Sequence, residues 1–166
     1  NEIIEEEIIS ELYDYIFQSN GKQVRAKLSL ITSSIDKRKA NKRLKLASVI
    51  ELLHTATLVH DDVVDSSQTR RGAASVNNIW TNSHSVLIGD YIYSKAFMLM
   101  VELNDMRILK ELSNATNEIS KGELIQLDGI NNINISLENL LKISYFKTGR
   151  LFEAAARSGA ILANGD

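Results

Sequence analysis

The chain has 166 residues, of which 44% are hydrophobic and 24% charged, and its net charge of −2 gives no indication of a nucleic-acid-binding surface. It contains no cysteine, which excludes disulfides and thiolate metal sites. No apolar run approaches the ~20 residues of a membrane span, and the acidic first residues do not resemble a signal peptide, so we expect a cytoplasmic protein.

Apolar residues recur at helical spacing along almost the whole chain and predict an all-α helical bundle. The predicted helices run, in chain order, from Ile4 to Phe17, Val24 to Ser33, Ala40 to the acidic cluster at Asp61, Val86 to Met100, Asp105 to Leu127, and Ser136 to Leu162. The polar stretch Ser66–Ser83 is expected to be a loop with a short turn at Val76–Trp80, and Asp128–Ile135 a second loop. We expect one domain over residues 1–166, cut from a longer helical fold.

Three aspartates close the third predicted helix, which is apolar nearly all round: Asp61, Asp62 and Asp65. Asp61 and Asp65 share one helix face, with roughly 5–6 Å between their Cβ atoms. Carboxylates so close repel one another unless a cation lies between them, and oxygen-only ligands favour Mg²⁺. A solvated helix end is the alternative, but acids at a helix C-terminus oppose the macrodipole. The cluster therefore favours a metal site.

Two arginines follow, in the run Thr69-Arg70-Arg71-Gly72. Their planar guanidinium groups suit phosphate oxygens, and Gly72 permits a turn. An ordinary basic surface pair is the alternative interpretation. Placed directly after the acids, the arginines indicate a polyphosphate ligand that binds together with the metal.

Other candidate residues are less specific taken alone. Lys22 and Arg25 stand at a helix N-terminus, where an anion would bind more readily than a cation. Lys147 lies inside an apolar helix and either faces an anion or extends to the surface. Glu51 and His54 match one half of a di-iron Glu-x-x-His pair, but the second half is missing. His54 could equally be a packed core residue.

Taken together, these residues resemble the trans-type polyprenyl diphosphate synthases, long-chain and octaprenyl-like. The run Asp61–Gly72 is similar to the family's Asp-Asp-x-x-Asp motif followed by Arg-Arg-Gly. The further similar segments are Glu51–His60, Leu87–Tyr91, Gly122–Gln126 and Lys147-Thr148. The resemblance implies an isoprenoid-synthase bundle in which an allylic diphosphate ionises with the help of Mg²⁺, and the cation alkylates isopentenyl diphosphate.

The resemblance also implies a role for each matched residue. These roles are metal binding for Asp61, Asp62 and Asp65; allylic diphosphate binding for Arg70, Gln126, Lys147 and Thr148; and isopentenyl diphosphate binding for Lys22, Arg25, His54 and Arg71. The three aspartates, Arg70 and Lys147 are the expected catalytic residues. Gln23 and Ala26 replace the family's usual arginine and proline, so we expect an altered isopentenyl site. The second Asp-Asp-x-x-Asp motif is not in the chain, so we expect an N-terminal portion that is inactive alone.

Product length is expected to follow from small residues upstream of the first aspartate. Short-chain members carry bulky aromatics where this chain has Ala56 and Thr57. An open tunnel there predicts an all-trans product longer than the fifteen-carbon farnesyl chain, although both residues could simply be small packing residues. By resemblance we also expect a homodimer and a peripheral membrane contact for product release. The Val86–Val101 helix either contributes to the dimer interface or belongs entirely to the core. A non-catalytic regulatory subunit and, more distantly, a di-iron bundle are the alternatives.

Overall fold

The computed structural model describes residues 6–18, 21–34, 39–129 and 135–163, and it is predominantly helical, as the sequence predicts. The helices are α1 (Glu7–Gln18), α2 (Val24–Thr32), α3 (Ala40–Val64), α4 (Val76–Ile79), α5 (Asn82–Leu103), α6 (Met106–Gly129), α7 (Leu137–Ser144) and α8 (Arg150–Ala163). Two short strands, β1 (Thr69–Arg70) and β2 (Ala73–Ala74), and a π-helical turn (Tyr145–Gly149) complete the described elements. Within these described ranges, no helix combines the length and hydrophobicity that crossing a bilayer requires.

The chain divides into two compact units. The first comprises Asn1–Gln23 and Leu52–Phe97, and the second comprises Val24–Glu51 and Met98–Asp166. Helices α3 and α5 each contribute to both units, while α1 and the β1–β2 hairpin belong to the first and α6, α7 and α8 to the second. The single domain expected from the sequence stays a prediction.

In the first unit, the stretch predicted as a loop contains more regular structure than expected. The turn near Val76–Trp80 is confirmed as α4, but β1 and β2 pair in antiparallel register ahead of it. Tyr15 of α1 covers this hairpin, because its hydroxyl donates to the Ala74 carbonyl at 2.7 Å and its ring meets Trp80 edge-on. Strands of two residues are too short for alternating hydrophobicity to reveal them.

In the second unit, the last predicted helix is wrong in one respect. Ser136 caps it as predicted, since its hydroxyl accepts the Asn139 N–H at 3.2 Å, but the π-helical turn separates α7 from α8. The second predicted loop begins later than expected, because Asp128 and Gly129 lie in α6. Residues 130–134 lie outside the described part, as does Ile4 at the start of the first predicted helix.

Close packing in the second unit depends on small residues and on one buried cation. A Cβ on Gly159 of α8 would lie 2.0 Å from Thr32 Oγ1 and 2.7 Å from the Ser29 carbonyl, so α2 and α8 meet almost backbone to backbone. Arg150, only 6% exposed, pairs with Glu111 of α6 at 2.7 Å and also with Glu118. Burial opposes its charge, but the two carboxylates outweigh this and raise the pKa of Arg150 above its usual value.

Candidate functional site

The acidic cluster lies at the C-terminal end of α3, which backbone hydrogen bonds close. Ser66 adopts a left-handed φ of 51°, the Ser67 N–H donates to the Asp62 carbonyl at 2.9 Å, and the Ser66 N–H donates to the Val63 carbonyl at 3.2 Å. These two bonds form a Schellman motif, with serine at the position that glycine usually takes. The Asp65 N–H still donates to the Asp61 carbonyl at 2.8 Å, so these two residues keep helical spacing.

The structure separates Asp62 from the other two aspartates. Asp62 is only 3% exposed, and both of its carboxylate oxygens accept from Arg70, Oδ2 from Nε and Oδ1 from Nη2, each at 2.7 Å. This bidentate pair raises the pKa of Arg70, mainly through its hydrogen bonds to Asp62, with smaller contributions from the charges of Asp61 and Asp65. Arg70 therefore remains a cation at any physiological pH.

The other two aspartates, Asp61 and Asp65, are more exposed than Asp62. Asp61 is half-buried and Asp65 is exposed. Within the described ranges, no three His, Asp or Glu side chains come close enough together to form a metal-binding group. The prediction that Asp61, Asp62 and Asp65 bind metal stays a prediction, and the geometry favours the first and third over the second because the oxygens of Asp62 are already engaged by Arg70.

The hairpin after the cluster holds both arginines. Arg70 pairs with Ala73, which leaves Arg71 and Gly72 as a two-residue loop, and both have positive φ, 52° and 83°. Positive φ at both central residues is the signature of a type I′ turn, in which Asn-Gly is the preferred pair. An arginine in that conformation is strained, and such strain tends to persist where the side chain has a function.

Lys22 and Arg71 lie near one another. A Cβ built on Gly21 would lie 2.4 Å from Arg71 Nη1, so the backbone just before Lys22 touches the guanidinium group. Lys22 itself is exposed. The structure thus brings together two residues that the resemblance assigns to the same substrate, in a single compact unit.

Upstream of the acids, α3 carries the other sequence-predicted residues. Ala56 is fully buried, Thr57 is half-buried and donates through its hydroxyl to the His54 carbonyl at 2.8 Å, and His54 is half-buried. Glu51 has a structural partner, because its Oε1 accepts the Ala26 N–H of the first turn of α2 at 3.3 Å. That contact satisfies a helix-terminal donor and reduces the case for a di-iron ligand.

A histidine contact next to the cluster was not anticipated from the sequence. His60 Nε2 lies 3.1 Å from the Val86 carbonyl and 3.4 Å from Asp90 Oδ1 on α5. Because a carbonyl only accepts, Nε2 carries the proton. A Cβ on Gly89 would lie 2.2 Å from that nitrogen, so glycine is required for the approach. The Glu51–His60 and Leu87–Tyr91 similarities were the sequence signals of this contact.

In the second unit, the candidate residues lie on α2, on α6 and in the π-helical turn. Arg25 lies over the Phe152 ring, 4.2 Å from its centroid. Lys147 is half-buried, and its Nζ pairs with Glu123 Oε2 at 2.8 Å. Gln126, on α6, is half-buried, and Thr148 is exposed. Sequence reasoning included Glu123 in a motif but gave it no role.

Both a family profile and individual known proteins match this chain. Residues 6–166 match the family profile described as "Polyprenyl synthetase". Octaprenyl diphosphate synthase of Escherichia coli is 42% identical over 157 residues, which is 95% of this chain and 49% of that protein. The all-trans-nonaprenyl-diphosphate synthase of Rhodobacter capsulatus is 40% identical, over 94% of this chain and 48% of that protein.

Solved structures agree with the sequence matches. A polyprenyl synthase from Caulobacter crescentus, complexed with calcium and isoprenyl diphosphate, is 38% identical, with a TM-score of 0.93 over 99% of this chain and 50% of that one. The chain thus spans about half the length of the relatives it matches.

Proposed function

The chain belongs to the polyprenyl synthetase family. We propose that it is the part of a long-chain all-trans polyprenyl diphosphate synthase that carries the first Asp-Asp-x-x-Asp motif. The resemblance drawn from the aspartate and arginine motifs is confirmed by the family match, and the helical fold of the isoprenoid synthase type by the solved relatives. The observation that carries the proposed activity is the convergence of carboxylates with Arg70, Arg71 and Lys22 at the end of α3 and the adjoining hairpin.

The oxygen donors at this end of α3 suit a magnesium ion. Asp61 and Asp65 offer carboxylates one helical turn apart, the hard ligands that Mg²⁺ takes while retaining waters and phosphate oxygens. When bound, the metal supplies positive charge to the diphosphate leaving group. Asp62 serves differently, since it fixes the fork of Arg70 through a bidentate pair.

Arg70 is suited to bind the allylic diphosphate. The two bonds to Asp62 use two of the five N–H donors of its guanidinium, and the group is oriented before substrate arrives. During the reaction the allylic C–O bond breaks and its electron pair departs with the diphosphate, so negative charge grows on the leaving group. A fixed cation stabilises that charge without reorganising.

Isopentenyl diphosphate is the proposed ligand of Lys22, His54 and Arg71. Its double bond donates an electron pair to the allylic cation, the new carbon–carbon bond forms, and a proton leaves the product. The proximity of Gly21 and Arg71 supports a shared anion-binding role for Arg71 and Lys22. Arg25, Gln126, Lys147 and Thr148 are assigned to the substrates by resemblance alone.

The product is proposed to exceed fifteen carbons. Thr57 is half-buried and lies one turn below Asp61, so its small side chain leaves open the helix face where, by resemblance, short-chain enzymes carry aromatics. Ala56 is fully buried and packs in the core. The names of the relatives, octaprenyl and nonaprenyl synthases, support a long product.

Dimerisation, a peripheral membrane contact and a cytoplasmic location are proposed with it. Leu87, Met98 and Val101 form one exposed apolar stripe on α5, at 67%, 56% and 66% exposure, which supports a helical pairing surface. Size-exclusion chromatography with light scattering tests the proposed dimer. Leu87→Glu should convert the dimer into a monomer if the stripe is the interface.

The activity is tested by incubating the protein of the full open reading frame with Mg²⁺, an allylic diphosphate and labelled isopentenyl diphosphate. Asp61→Asn and Asp65→Asn should each lower kcat/KM by roughly 100-fold or more, because the leaving group loses its neutralisation. Asp14→Asn, an exposed aspartate on α1, is the matched control and should leave the rate unchanged. Equal rates in all four proteins would contradict the proposed site.

A further inference from the structure

The π-helical turn is held against α6 at its centre and at its C-terminal end. A Cβ on Gly122 would lie 2.6 Å from Phe146 Cβ and 3.5 Å from the Lys147 backbone nitrogen, so the α6 backbone lies directly against the turn. Arg150, the first residue after the turn, is tied to α6 through two carboxylates. A π-helical turn inside an α-helix often marks a functional site, and here it carries Lys147 and Thr148.

Glu123 directly follows Gly122 and reaches the turn through its side chain. Its Oε2 lies 2.8 Å from Lys147 Nζ, and the two side chains are only 26% and 20% exposed. A lysine ammonium sits on a flexible four-carbon stem with many rotamers, so its position depends on a partner. Glu123 starts from a backbone that is itself held close, because Gly122 lets α6 lie in direct contact with the turn.

We propose that Glu123 is a positioning residue that holds the Lys147 ammonium in place for the allylic diphosphate. The inference rests on the proposed transferase function and extends it to a residue that contacts no reacting atom. The carboxylate holds the ammonium in one position, and a fixed ammonium matters most at the step where negative charge grows on the leaving group. Its benefit is therefore expected in kcat, through a fixed ammonium, and not in KM.

The role predicts an unusual kinetic signature for Glu123→Gln. In the protein of the full open reading frame, kcat should fall by roughly 10- to 100-fold, because the ammonium loses its fixed position. KM for the allylic diphosphate should stay level, because Glu123 is proposed to act through Lys147 and not by contacting the substrate. Glu138→Gln removes an exposed carboxylate from α7 and is the matched control, expected to match wild type in both constants.

A double-mutant cycle tests whether Glu123 acts through Lys147. Lys147→Gln alone should lower kcat, and adding Glu123→Gln should lower it no further. Glu123→Asp keeps the carboxylate and should retain more activity than Glu123→Gln, which separates the positioning role from a folding defect. Circular dichroism melting of each variant reports folding independently of activity.

Four outcomes would overturn the inference. If the wild type is active and Glu123→Gln keeps its kcat, the role of Glu123 is overturned while the proposed function stands. The same holds if the kcat losses of the two single variants multiply in the double variant. A raised KM together with an unchanged kcat would show that Glu123 contributes to substrate binding instead. A wild type with no transferase activity would overturn the proposed function itself, and the role of Glu123 with it.

Discussion

Replacing Arg71 by asparagine should make the protein more stable and a poorer enzyme at once. Arg71 occupies the first loop position of the hairpin with a φ of 52°, followed by Gly72 at 83°. Asparagine is several-fold enriched in this left-handed conformation, and Asn-Gly is the preferred loop of a type I′ turn. Asparagine cannot, however, replace the guanidinium proposed to bind isopentenyl diphosphate.

The two effects have different expected sizes. The left-handed conformation costs an ordinary L-residue roughly 1–2 kcal/mol, so relieving part of it should raise the free energy of unfolding by about 0.5–1 kcal/mol. For a chain of this size that corresponds to a melting-point rise of about 1–4 °C. Loss of a hydrogen bond to a charged group costs about 1.5–3 kcal/mol, which should raise KM for isopentenyl diphosphate about 10- to 100-fold.

Thermal melting and steady-state kinetics on the same preparations measure both effects. Arg71→Lys is the matched control, because it keeps the charge and the strain, so its stability should equal wild type and its KM should rise less. Gly72→Ala is a second control for the turn. With no atom within 4 Å of the added Cβ, it should destabilise the protein through backbone strain alone, by about 1 kcal/mol. A destabilised Arg71→Asn variant would refute the turn argument, and an unchanged KM would refute the binding role.

Three further predictions concern other parts of the chain. Thr57→Phe should shorten the product, measured by chromatography of dephosphorylated alcohols, and an unchanged length would mean that Thr57 does not face the tunnel. Asp105 accepts the Arg107 N–H at the start of α6 at 3.0 Å, and Asp105→Ala should cost about 1 kcal/mol of unfolding free energy at pH 7. Hydrogen bonding from the Arg107 side chain lowers the pKa of Asp105. The stabilisation should therefore disappear as the pH falls below about 4 and the carboxylate is protonated, which denaturation at a series of pH values measures. Gly159→Ala should lower stability by about 1–3 kcal/mol in urea denaturation, because its Cβ would meet Thr32, and a neutral result would contradict the close packing of α2 on α8.

Helical periodicity predicted most of the fold, because apolar residues at a spacing of 3.6 mark a helix without reference to the rest of the chain. The end of α3 was predictable for the same reason, since the apolar pattern stops at the acids. The hairpin was not, because arginine in place of asparagine hides the usual turn signal. The π-helical turn shifts the pattern by a single extra residue, which a short window does not resolve.

The motif identified the candidate site, but it did not show that its side chains point in different directions and have different partners. Asp61 and Asp62 differ by about 100° around a helix, so they cannot face the same way. Asp62 lies three residues after buried Val59, which was an available sign that it points inward. The pairing of Glu123 with Lys147 joins residues on separate elements, and no local pattern reports a tertiary contact of that kind.

The central claim is most directly tested by the length of the product. The protein of the full open reading frame is incubated with Mg²⁺, farnesyl diphosphate and labelled isopentenyl diphosphate, and the chain lengths are resolved by chromatography. We predict metal-dependent all-trans products longer than fifteen carbons, absent when the metal is chelated. No elongation, or with shorter allylic primers a product that never exceeds fifteen carbons, would contradict a long-chain polyprenyl diphosphate synthase.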